Sequence, residues 1–122
     1  MKKIKVHWLE KPAKRDYPAA FAYLSLISTP RVAQKAVSKL KRTKIAVFAA
    51  KDIFRASEVS MLGRGDSHVE RYRSQIKRRQ PISPVLLCRD PRLGKLIIAD
   101  GYHRLCAVYT FDEAADIPCK II

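Results

Sequence analysis

From Asp16 onward the apolar positions fall into short runs whose spacing changes several times. Asp16-Tyr17-Pro18 suits a helix start, with Asp16 near the N-cap and Pro18 in the first turn, and AAFAYLSLI continues it as a largely apolar segment. Ser28-Thr29-Pro30 ends that helix and opens a second. There Val32, Ala33, Ala36, Val37 and Leu40 share one side, while Arg31, Lys35, Lys39 and Arg42 follow near-i+4 spacing on another. The pattern predicts an amphipathic helical hairpin with a basic outer stripe.

The next segments mix both periods. IAVF, from Ile45, reads as a short strand, and AKDIFRASEV after it as a strand edge running into a loop. Gly63-Arg64-Gly65-Asp66 is a turn. Ser67 and Glu70 then have capping-box spacing, and Val69, Tyr72 and Ile76 give the apolar stripe of a helix ending near Arg79. Its outer side is again basic, with Arg71, Arg73, Lys77, Arg78 and Arg79. Pro81 stops it, and Pro84 to Arg89 reads as a buried strand. Asp90 to Gly94 is a turn into a partner strand, Lys95 to Ala99. Leu105, Cys106, Val108 and Tyr109 suggest a short helix, and Ile117 to Ile122 a last strand. The order predicts an α+β domain, a small mixed sheet with packed helices preceded by the hairpin.

Composition narrows the class. The chain has 122 residues, 48% apolar and 30% charged, which fits one globular unit with no low-complexity linker. Its formal charge is +14, of which residues 1–44, with 12 basic and 2 acidic side chains, carry +10. A localised basic surface calls for a polyanion: nucleic acid, nucleotide or anionic lipid. MKKIKVHWLEK has a basic start but no apolar run behind it, unlike a signal peptide, and the apolar run from Tyr17 to Ile27 is too short to span a bilayer. The expectation is a cytoplasmic protein with no membrane partner, its oligomeric state open. Cys88, Cys106 and Cys119 are widely spaced and read as reduced, buried thiols. His103 and Cys106 have a zinc-compatible spacing, but without a second close pair no metal site is expected.

Chemistry concentrates in IIADGYHRLCA, Ile97 to Ala107, where a strand meets a helix at Asp-Gly followed by His-Arg. A Gly before a helix lets the backbone approach an anion, first-turn N–H groups point outward, and Arg and His donate to phosphate oxygens. Gly101 and Tyr102 would contribute backbone, and His103 and Arg104 side chains. Two plainer readings stand beside this one. Asp100 also suits the N-cap of the following helix, and Glu70 is accounted for by its capping-box partner Ser67.

With the element order, DGYHR makes the stretch from Lys51 to Ile122 resemble the ParB N-terminal/sulfiredoxin-like superfamily. The resemblance divides the chain into a basic helical arm, residues 1–50, packed on a ParB/sulfiredoxin-like domain, residues 51–122. It implies binding of ATP or another nucleotide through Gly101, Tyr102, His103 and Arg104. Sulfiredoxins carry their catalytic Cys where this chain has Tyr102, which argues against sulfinic acid reduction. Partitioning ParB proteins have Gly-Glu-Arg-Arg where this chain has Gly-Tyr-His-Arg. The motif is most similar to the Asp-Gly-His-His-Arg of free serine kinases. That likeness implies Mg²⁺-dependent phosphotransfer or nucleotide hydrolysis, with Asp100 as a metal or hydroxyl partner and Glu58 as base. The alternative is a nucleic-acid-binding module or nuclease gripping DNA or RNA through Arg31, Lys35, Lys39 and Arg42 and through Arg71, Lys77 and Arg78.

Overall fold

The computed structural model describes residues 4–122, so the first three residues of the 1–50 arm lie outside the described residues. Helices α1 (Asp16–Ile27) and α2 (Pro30–Arg42) form the hairpin. Thr29 caps α2, its hydroxyl accepting from the Val32 N–H, with Pro30 at the first helical position. Strand β1 (Ala46–Ala49), helices α3 (Ala50–Ser57) and α4 (Ser67–Lys77), strands β2 (Val85–Asp90) and β3 (Lys95–Asp100), helix α5 (Tyr102–Phe111) and strand β4 (Asp116–Ile121) follow. Among the described residues the fold is a mixed α+β arrangement of five helices and one four-stranded sheet.

The sheet runs β1-β4-β2-β3, with β4 parallel to β2 and the other pairs antiparallel. Alternation along β2 explains the layers on either side of it. Val85 and Leu87 join the core under α3, α4 and α5, whereas Leu86 and Cys88 join the core under the hairpin with Ala20, Leu24, Ala33, Val37 and Leu40. A strand covered on both faces reads as an unbroken apolar run, which is what Val85-Leu-Leu-Cys88 is. Lys120 of β4 is buried, and its ammonium donates to the Lys41 carbonyl at the end of α2, tying hairpin to sheet. β1, inside the 1–50 arm of the sequence reading, pairs with β4, so the sheet begins before residue 51.

Three sequence expectations are corrected. AKDIFRASEV holds a helix instead of a strand edge: Ala50, Ile53, Phe54 and Ser57 are buried at i, i+3, i+4 and i+7, a helical period that Ile and Phe disguised as strand. The cap of α4 is Asp66, not Ser67, its carboxylate accepting from the His68 and Val69 N–H groups at 2.9 and 3.0 Å. Arg73 points inward, its guanidinium 4.0 Å above the Phe111 ring and bonded to the Thr110 hydroxyl, so it leaves the outer basic row.

Candidate functional site

Strand β3 ends at Asp100 and the chain turns through Gly101 at φ 102° into α5. No side chain caps α5, so its first-turn N–H groups lack a side-chain partner. They adjoin a cleft of about 550 Å³ whose floor is β3 and whose walls are Ala19 and Tyr23 of α1, Ser57 at the end of α3, and Val59 and Ser60 after it. Gly101, Tyr102 and His103 close one end of that cleft. The Tyr102 hydroxyl donates to the Ser60 carbonyl, fixing the loop that follows α3 to α5.

Arg104 does something other than expected. It is buried, its Nε donating to the Ser83 carbonyl at 2.9 Å and its Nη2 to the Pro84 carbonyl at 3.3 Å. The same Nη2 lies 3.1 Å from Asp100 and 3.5 Å from Asp16. Asp16 also accepts from the Ser83 hydroxyl. Burial works against the guanidinium charge, but Asp100 and Asp16 overcome it and hold the Arg104 pKa above its ordinary value. Burial pushes Asp100 up, with Arg104 opposing. Arg104 therefore braces the strand end and helix start from inside, with its Nε and Nη2 engaged within the fold. Asp100, instead of capping α5, is spent on that brace.

Gly101 also has a different reason. A Cβ there would stand 2.5 Å from Val85 Cγ1 and 2.9 Å from the Arg104 guanidinium. Its missing side chain makes room for the brace, and its positive φ adds a second demand for glycine.

His103 is half-buried at the cleft and has a neighbour that the sequence reading passed over. The His68 ring, from the first turn of α4, lies 4.8 Å from it centroid to centroid. Burial first, then the charges of His68 and Arg71, hold His103 below the usual histidine range, with Asp66 opposing. Glu58 is exposed at the left-handed C-cap of α3, φ 58°, next to Val59 and Ser60 but outside the cleft lining. The acids that do line the cleft and its neighbour, Asp100 and Asp16, both face Arg104. Among the described residues no three His, Cys, Asp or Glu side chains converge as a metal set.

The basic residues expected to meet nucleic acid are exposed: Arg31, Lys35, Lys39 and Arg42 on α2, Arg71 and Lys77 on α4, and Arg78 at its end. The α2 stripe lies on the helix layer away from α4, so the two rows belong to separate faces. A second, largely apolar cleft of about 410 Å³ lies between α3 and the β2–β3 hairpin, with Asp52 of the first turn of α3 in its wall. No family model matches the chain, and searches of curated proteins and of solved structures find no match either.

Proposed function

We propose that the chain binds a nucleotide in the cleft over β3, with its phosphates at the N-terminus of α5. The observation that carries this reading is the uncapped first turn of α5, with His103 beside it, at the closed end of a cleft of ligand size. Unpartnered N–H groups with the positive end of the helix dipole favour an anion, and the His103 ring adds a donor. Tyr23, 45% exposed, and Val59 offer an aromatic and an aliphatic surface to a base at the other side of the cleft. Phosphate charge is met by backbone dipole and imidazole, with Arg104 setting the turn from beneath.

The reading is one of binding. Asp100, expected to serve catalysis, is tied to Arg104, and Glu58 lies outside the lining. Calorimetric titration of nucleic-acid-free protein with ATP, ADP, CTP and GTP, with and without Mg²⁺, tests it. Saturable binding weakened at least tenfold in His103→Ala and Tyr23→Ala, both folded by thermal melt, supports the assignment. Equal affinity in all three proteins moves the ligand elsewhere, and no heat with any nucleotide leaves α5 an ordinary helix start.

A further inference from the structure

Positive charge also gathers at the far end of α4, outside the cleft. The segment after Ile4 runs beside Ile82: the Leu9 N–H donates to the Ile82 carbonyl and the Ile82 N–H to the His7 carbonyl, each at 2.9 Å. That pairing carries Lys5 and His7 to the C-terminal end of α4. There Ile4, Lys5, His7, Ile76, Lys77 and Arg79 line an open depression of about 530 Å³ with no acid in its walls among the described residues. Among the described residues, Lys5, Lys77 and Arg79 form no ion pair.

Basic residues at a helix C-terminus ordinarily take the last carbonyls and offset the dipole. Here backbone groups already serve those carbonyls. The Arg79 N–H donates to the Ile76 carbonyl and the Gln80 N–H to the Gln75 carbonyl, each at 3.0 Å, the two bonds of a Schellman motif. Its left-handed position commonly holds glycine, yet Arg79 occupies it at φ 59°. The side chain at this position stands in the wall of the depression, where a glycine would leave only backbone. The basic row also continues along α4. Arg71 and Gln75, with Arg15, line a cleft of about 490 Å³ that adjoins the one over β3, where Asp16 and Asp100 are paired with Arg104. Arg71 to Lys77 covers about 9 Å of helix axis, more than one phosphate group can bridge and suited to a chain of them.

We propose that this end of α4 is a nucleic-acid backbone site. Strand phosphates lie across Lys5, Lys77 and Arg79 and follow α4 toward Arg71 and Arg15. Apart from His7 the depression has no ring on which a base could stack, so the contacts are to phosphate and carry little sequence preference. The depression itself shares no residue with the nucleotide cleft and the proposal does not rest on that cleft, and the α2 stripe is not part of it.

Fluorescence anisotropy of the full chain with labelled mixed-sequence 20-mers, single- and double-stranded, across roughly 50–200 mM salt is the test. The variants are Arg79→Gly, the pair Lys5→Gln/Lys77→Gln, and the α2 set Arg31→Gln/Lys35→Gln/Lys39→Gln. Affinity is expected to fall steeply with salt. Arg79→Gly should weaken binding about fivefold or more and reduce the salt slope by about 1, with a thermal midpoint equal to or above wild type. The Lys pair should weaken binding further and the α2 set leave it unchanged. Wild-type affinity in Arg79→Gly and the Lys pair overturns the proposal. So does loss confined to the α2 set, or binding of anionic phospholipid vesicles with none of either oligonucleotide.

Discussion

Arg104 carries one positive charge against two carboxylates, the buried Asp16 and the partly buried Asp100. Removing one member of such a group leaves the others buried without compensation. Arg104→Ala is therefore expected to cost about 3–5 kcal/mol in denaturant unfolding, before any question of ligand arises. It tests the fold, whereas His103→Ala tests the site. Gly101→Ala should also destabilise, through the left-handed penalty of about 1–2 kcal/mol and the approach to Val85. The thiols make a second prediction at this scale. Burial pushes Cys88 and Cys119 up to about 11 and raises Cys106 as well, so the native protein should resist iodoacetamide near pH 8 and react at all three after unfolding. Their burial was legible from composition. The brace was not, because Asp16 and Arg104 stand 88 positions apart and no local spacing announces the pair. DGYHR marked the strand-to-helix turn in the sequence, while the reason for its Arg and Gly lay in Ser83, Pro84 and Val85.

Helices α4 and α5 bring their first turns together at His68 and His103, yet the two ends differ. Asp66 caps α4, and its bond from the Val69 N–H, followed by that from His68 and opposed by desolvation, holds its carboxylate below the ordinary value. A depressed acid stabilises the fold above its unfolded pKa, and that contribution is lost as pH falls through the folded one. Asp66→Ala should lower the thermal midpoint at neutral pH, and the gap to wild type should close below about pH 4. For His103 the sign reverses. Its lowered pKa makes the unfolded chain the better proton acceptor, so wild type loses stability relative to His103→Gln as pH drops through about 6.5. Parallel melts between pH 7.5 and 5.5 measure it. At the level of elements the sequence was readable wherever one period ran long enough: both hairpin helices, α4, β2 and β3 fall where spacing put them. It misled at α3, whose eight residues give the helical period barely two turns and whose Ile53 and Phe54 are also good strand formers. The meeting of His68 with His103 follows from α4 packing on α5, which no one-dimensional pattern encodes.

As a whole, the molecule is a sheet covered on both faces, and its two cores share strand β2. A fragment of residues 51–122 would lose β1 from the sheet edge and bare Leu86, Cys88 and Ala99 where the hairpin sat. Such a fragment is expected to show no cooperative thermal transition, while the full chain melts in one; calorimetry of both decides, and an independently folding fragment would contradict the shared core. The same layering assigns the positive charge to separate places: the α2 row on one side, and the α4 row, joined by Lys5 and Arg15, on the other. The central claim concerns the turn between those layers, where β3 delivers the first N–H groups of α5 to the cleft. Following the backbone amides of ¹⁵N-labelled protein by NMR during parallel titrations with ATP and with adenosine tests it most directly. The account predicts saturable shifts of the Tyr102 and His103 amides with ATP that adenosine fails to reproduce. Amides at 102 and 103 that stay still while ATP shifts those around Lys77 and Arg79 would contradict it.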